Sequence, residues 1–238
     1  MVGMGEKEHT MAYEYVFDSE SKRYRKDCSD ILKETCALLK KKGIIAQFYL
    51  VGSGARNMIT RNGNSPYDLD YNLEIVRMAD EYRKDLRHLK DTVRVALDKG
   101  AELDNCFDEA QDSTSCLTAI MHFNDSPQVE FKVDVAIVMK NDNGTYMRLI
   151  HNKSVISWDG RDQYTWNEIP NSHDVKEKAK RLKEEDRWIE VRERYLELKN
   201  LFLSRNDKSH PSFVVYVMAV NDVYQKYFRS NRIVILNR

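Results

Sequence analysis

Val51-Gly52-Ser53, then Tyr67-Asp68-Leu69-Asp70-Tyr71, then Val133-Asp134-Val135 are the stretches whose reading decides this fold. Asp68 and Asp70 are two residues apart in an alternating run, so on a strand both carboxylates point to one side. Asp134 is an isolated carboxylate amid valines on what reads as a second strand. Clustered carboxylates repel: two unit charges ~4 Å apart cost about 4 kcal/mol at an effective dielectric near 20. A hard cation among them offsets that cost, and an all-oxygen ligand set suits Mg²⁺. Upstream, Gly52 and Ser53 form a turn where backbone N–H groups favour a bound anion. Any half-exposed strand alternates, so no single piece is specific. The Gly-Ser turn, the Asp-x-Asp pair and the later lone aspartate together point to metal-assisted phosphoryl chemistry.

The elements around these stretches follow from periodicity. Tyr24, Cys28, Ile31, Leu38 and Leu39 recur at helical spacing over 18–42, with Lys40 to Lys42 in the last turn and Gly43 as the residue beyond it. Residues 44–51 read as an apolar strand ended by Gly52-Ser53-Gly54. Over 68–76, Leu69, Tyr71, Leu73 and Ile75 share one face, and Asp68, Asp70, Asn72 and Glu74 the other. Tyr82, Leu86, Leu89, Val93, Ala96 and Leu97 predict one amphipathic helix with Gly100 after it. Two strands follow over 115–123 and 129–138. In the second, Val129, Phe131, Val133, Val135 and Ile137 face inward and Glu130, Lys132 and Asp134 outward. Asn141-Asp142-Asn143-Gly144 predicts a hairpin turn into a strand over 145–150. Trp158-Asp159-Gly160 and Trp166 to Pro170 read as an ordered loop, residues 175–203 as one long charged helical stretch, and a last helix starts near Pro211. The expected layout is α+β: a mixed αβ core over residues 1–150, then a mostly helical part over 151–238.

Composition narrows the classes. A chain of 238 residues, 42% hydrophobic and 32% charged, has enough apolar surface for a real core. Lysine plus arginine equals aspartate plus glutamate at 38 each, which disfavours a dedicated nucleic-acid binder. Cys28, Cys36, Cys106 and Cys116 show no CxxC spacing, and Cys28 and Cys36 read as small buried hydrophobes. No apolar run nears the ~20 residues that span a bilayer. The first twelve residues lack the apolar region of a signal peptide, so a reducing cytoplasm is the expected location.

The order Val51-Gly52-Ser53, Asp68-Leu69-Asp70, Asp134 resembles the DNA polymerase β-like nucleotidyltransferase superfamily over residues 44–140. That superfamily shows a hydrophobic residue, Gly-Ser or Gly-Gly, a pair of carboxylates flanking an apolar residue, and a third carboxylate on a later strand. The segment with Thr60 and Ser65-Pro66 is most similar to the oligoadenylate-synthase and bacterial cyclic-oligonucleotide synthase branch. It departs by a long loop over 61–67 and by Pro66-Tyr67 directly before the first aspartate.

The resemblance implies a twisted mixed sheet with flanking helices, a short helix opening at Gly52, and C-terminal helices that close the nucleotide cleft. It implies transfer of a nucleoside monophosphate from an NTP, ATP favoured, to an acceptor hydroxyl with release of pyrophosphate. Asp68 and Asp70 would hold two Mg²⁺ (Mn²⁺ as a substitute) and Asp134 would complete the shell of the second. Gly52 and Ser53 would take the phosphates, with Arg56 either a further phosphate contact or a surface arginine. The acceptor is open between a nucleotide and a small molecule; a nucleic acid is disfavoured, a membrane is not expected, and the oligomeric state is undetermined. Tyr67 or Tyr71 is a candidate for base stacking, Tyr71 reading more readily as core. Lys176, Lys178, Lys180 and Arg181 are candidate phosphate contacts set against a solvated helix face. The alternative on the same fold is a non-catalytic nucleotide-binding or toxin–antitoxin-type module.

Overall fold

A computed structural model describes residues 12–63, 65–102, 109–123, 126–155, 163–170 and 172–228, with backbone alone at 121–123 and 126–130. Two compact units result. The first comprises Val16–Ile59 and Ser65–Asn171; the second joins Ser172 onward to two short strands from earlier in the chain.

In the first unit, the long helix α1 (Asp18–Lys41) opens with Asp18 and Glu20 and closes with Lys40 and Lys41, both complementing its dipole. It ends where predicted. Gly43 takes φ +78°, and Gly43 N–H and Ile44 N–H bond back to the carbonyls of Lys40 and Leu39 at 3.1 and 3.0 Å. Strand β2 (Ile45–Leu50) then enters a sheet, and α2 (Gly52–Ala55) is a single turn at its end. The sheet continues with β4 (Tyr67–Arg77), reached past β3 (Thr60–Asn62) of the second unit. Its order is β2-β4-β7-β6-β5, where β5 is Gln111–Asp112, β6 Leu117–Phe123 and β7 Ser126–Lys140. Farther along β7, β8 (Tyr146–His151) pairs with it antiparallel, and β9 (Tyr164–Glu168) pairs with β8. The β4–β7 pair is parallel; the others are antiparallel, so the sheet is mixed.

Alternation along the strands separates two faces. Leu69, Tyr71 and Leu73 of β4, Val133, Val135 and Ile137 of β7, and Leu117 and Ala119 of β6 are buried in one core. That core includes Leu32 and Leu39 of α1 and Leu89, Val93 and Leu97 of α4 (Leu86–Ala101). The single helix predicted over 82–97 is in fact two, because Asp85 (φ −137°, ψ 92°) ends α3 (Asp80–Lys84). Its carboxylate caps α4 by accepting the His88 N–H at 2.9 Å. Gly100 lies inside α4 rather than after it. A Cβ there would sit 2.9 Å from both the Ile31 carbonyl and Thr35 Oγ1, so the glycine sets how closely α1 and α4 pack.

Trp166 lies in β9 instead of a loop, because the exposed edge of β8 pairs with this segment and Trp166 packs against the core. Trp158, Asp159, Gly160 and Cys106 lie outside the described residues. Cys28 is buried, as its place in the helical pattern predicts.

The second unit carries three helices, α5 (His173–Glu184), α6 (Trp188–Ser204) and α7 (Ser212–Phe228), and the two-stranded pair of β1 (Tyr13–Tyr15) with β3. Val191, Tyr195, Leu198, Val215, Ala219 and Val220 form its buried seam. The continuous helix predicted over 175–203 breaks at 185–187, where Asp186 adopts φ +55° and Arg187 N–H bonds to the Leu182 carbonyl at 2.7 Å. No glycine or proline marks that break. Among the described residues, no helix is long and apolar enough to cross a membrane.

Candidate active site

The polar face of β4 carries Asp68, Asp70, Asn72 and Glu74 in succession. Parallel register sets Asp70 opposite Asp134 of β7, and antiparallel register sets Asp134 opposite Thr118 of β6. One row across the sheet therefore reads Asp70, Asp134, Thr118. Asp68 is exposed, while Asp70 and Asp134 are half-buried.

The Gly-Ser turn is stitched to this row. Val51 N–H donates to the Asp70 carbonyl at 2.8 Å, and Gly52 follows at φ +61°, a conformation glycine adopts without strain. A Cβ on Gly52 would strike the Asp70 carboxylate, with Asp70 Cγ only 3.0 Å from it. Gly52 is thus required twice, by its backbone and by the carboxylate beside it. Ser53 is the second residue of α2, and its carbonyl accepts from Met58 N–H at 2.9 Å and Arg56 N–H at 3.2 Å, which closes the turn.

Electrostatics binds these residues into one group. Burial, then the charges of Asp134 and Asp68, pushes the Asp70 carboxyl up to about 6, with Arg148 and Arg56 acting in the opposite sense. Arg56 is therefore within the field of the carboxylates. Thr118 Oγ1 donates to Asp134 Oδ1 at 2.6 Å. Among the described residues, no three acidic, histidine or cysteine side chains converge on a common point. The three aspartates share a face and repel across it. Their donor chemistry fits a hard divalent cation, which would have to draw them together.

Two neighbours were not legible in the sequence. Thr118 is one apolar-strand threonine among several, and only the β6–β7 register identifies it. Arg148 of β8 lies two strands from Asp70, yet its charge acts on that carboxyl. Its Nε is buried without a hydrogen-bond partner among the described residues. Beyond Asp70, Glu74 is buried and accepts from Gln47 Nε2 at 3.0 Å and Tyr146 Oη at 3.3 Å.

Several other polar and aromatic side chains are committed to partners of their own. Tyr67 is buried and stacks on Phe131 with ring centroids 5.8 Å apart, so base stacking is closed to it; Tyr71 is core as well. His151 is committed to Asp112 at 2.9 Å, in a knot where Asp112 also meets the buried Lys90 Nζ at 2.5 Å and Tyr164 Oη at 3.0 Å. In α5, Lys178 bonds Asp174 and Asn221, at 2.6 and 2.9 Å, and Arg181 bonds Tyr224 Oη at 3.2 Å.

No family model and no curated protein matches the sequence. Solved structures do resemble the fold. The STING-associated CdnE c-di-GMP synthase from Capnocytophaga granulosa superposes with a TM-score of 0.56 at 16% identity, over 87% of this chain and 61% of that one. The Vibrio cholerae DncV cyclic AMP-GMP synthase, in complex with the linear intermediate 5′-pppA(3′,5′)pG, gives 0.58 at 7% identity over 90% and 74%. Escherichia coli DncV in its 3′-deoxy GTP bound form gives 0.54 at 11% identity over 87% and 68%. This chain thus spans about three fifths of the CdnE synthase's length. The mixed sheet with flanking helices and these superpositions agree: the chain has the fold seen in these cyclic-nucleotide synthases.

Proposed function

We propose that this chain is a Mg²⁺-dependent nucleotidyltransferase that moves a nucleoside monophosphate from an NTP, ATP favoured, onto an acceptor hydroxyl with release of pyrophosphate. The observation that carries the reading is the row of Asp70 facing Asp134, with the Gly52 turn packed on the Asp70 carboxylate. The neighbouring folds include a c-di-GMP synthase and a cyclic AMP-GMP synthase holding a linear dinucleotide, which favours a nucleotide over a small molecule as acceptor.

In this reading Asp68 and Asp70 hold two cations and Asp134 completes the shell of one. When bound, such a pair supplies charge neutralisation at the reacting phosphate and a more acidic attacking hydroxyl. Gly52 lets the backbone approach the phosphates, Ser53 and the first N–H groups of α2 hold them, and Arg56 balances their charge. Arg148 lies on the same side and offers an unspent N–H donor.

The test is direct. The full chain is incubated with Mg²⁺ and each labelled NTP, singly and in pairs, and products are resolved by mass. Pyrophosphate and a phosphodiester-linked nucleotide are expected, both abolished by Asp70→Asn. Asp134→Asn is expected to reduce turnover more than NTP binding. Stabilisation by Mg·NTP with no pyrophosphate from any nucleotide or pair would overturn catalysis and leave a nucleotide-binding module.

A further inference from the structure

The Asp134 carboxylate is not free to turn. Thr118 stands directly across β6–β7 from it, and its hydroxyl donates to Oδ1 at 2.6 Å, the short distance of a bond to an ionised acceptor. A hydroxyl has one proton, so this bond fixes the Thr118 rotor, and a β-branched side chain has little χ1 freedom of its own. Behind Thr118 the support continues. Cys116 Sγ lies 3.6 Å from Thr118 Oγ1 and 3.0 Å from Ser113 Oγ. Ser113 Oγ also donates to the Cys116 carbonyl at 2.9 Å and accepts from Cys116 N–H at 3.2 Å, closing the β5–β6 turn on itself. The Ser113 carbonyl accepts from the buried Lys90 ammonium at 2.9 Å, and His151 N–H donates to the Thr114 carbonyl at 2.7 Å. The turn is thus tied to α4 and β8, and it delivers one hydroxyl to one carboxylate oxygen.

We propose that Thr118 is a positioning residue for the third carboxylate: its hydroxyl holds Asp134 Oδ1 and so fixes the direction in which that carboxylate faces a cation. The orientation of Asp134 is then set before the ion arrives. The inference rests on the nucleotidyltransferase reading for its consequence in turnover, but its first consequence is in cation affinity. Partners that orient a metal-binding side chain are worth about 10–100-fold in affinity or activity.

Thr118→Val keeps the shape and the β-branch while removing the hydroxyl; Thr118→Ser keeps the hydroxyl. Mn²⁺ affinity of the full chain is read by electron paramagnetic resonance without nucleotide, beside the thermal midpoint in EDTA. Thr118→Val is expected to weaken Mn²⁺ binding about 10–100-fold, with Thr118→Ser near wild type. On an Asp134→Asn background Thr118→Val should add nothing further. In turnover, kcat should fall with the KM for NTP little changed. If Thr118→Val lowers the midpoint in EDTA yet binds Mn²⁺ like wild type, the threonine is only a strand contact and the proposal is overturned. Thr118→Ala replaces the valine variant should the latter not fold. A wild type that binds Mn²⁺ in a Thr118-dependent way but transfers no nucleotide would sink the reaction and leave this inference standing. A wild type that binds no Mn²⁺ would sink both.

Discussion

Asp70→Asn should make the cation-free protein more stable while removing its chemistry. The Asp70 carboxyl rises from 3.8 to about 6, chiefly by burial and then by the charges of Asp134 and Asp68. An acid raised in the folded state binds its proton more tightly there than in the unfolded chain. The contribution of this carboxyl to stability is therefore full below pH 3.8 and is lost as pH climbs through about 6. The rise corresponds to about 3 kcal/mol of lost stability at pH 8 and to about 1 kcal/mol at pH 4.5. Asparagine has the same shape and no charge, so it escapes this cost. Urea unfolding in EDTA should accordingly show Asp70→Asn ahead of wild type at pH 8, with an advantage about 2 kcal/mol smaller at pH 4.5. Added Mg²⁺ should raise the wild-type midpoint and leave the variant almost unmoved, since a cation relieves the same repulsion. A variant no more stable than wild type at pH 8, with no change in the difference at pH 4.5, would refute the reasoning.

Two further substitutions probe the packing that places the site. Gly52→Ala puts a methyl group into the Asp70 carboxylate at a backbone angle alanine disfavours. It is expected to cost about 1–3 kcal/mol in chemical unfolding and to weaken Mn²⁺ binding with it; an unchanged Mn²⁺ titration would separate the turn from the carboxylates. Gly100→Ala drives α4 away from the Ile31 carbonyl and Thr35 and should cost about 1–3 kcal/mol, against the usual helix preference for alanine. A stabilised Gly100→Ala protein would show that α1 and α4 have room to spare.

The strands and helices of the first unit were legible because one face of the sheet is buried. The alternation of Leu69, Tyr71 and Leu73 against Asp68, Asp70 and Asn72 states both the strand and its orientation. The residues Gly52, Asp70 and Asp134 were legible as types because clustered carboxylates are unusual beside a glycine turn. Registers were not. Nothing local says that Asp134 meets Thr118, or that Arg148 acts on Asp70 from a strand not directly paired with β4. Helix breaks without glycine or proline carry no such local signal either. Asp85 ends a helix by capping the next, and Asp186 reverses the chain in a conformation that asparagine and aspartate tolerate better than other side chains. The strands β1 and β3 are three residues each, too short for an alternating pattern to register.

The parallel pairing of β4 with β7 also has a kinetic side. Residues 70 and 134 meet only after two helices and the β5–β6 hairpin between them have been laid down. Closing so long a loop costs entropy before any contact rewards it, which makes such pairings slow to form. During synthesis, a chain that has emerged only as far as β6 has Asp68 and Asp70 but no partner strand beside them. On the proposed reading the cation site would be assembled by the last central strand to arrive, and a divalent ion would have its full ligand set only once β7 has joined β4. An ion that binds only the completed set stabilises the finished pairing and not the step that forms it, so Mg²⁺ should slow the loss of that pairing more than it speeds its formation.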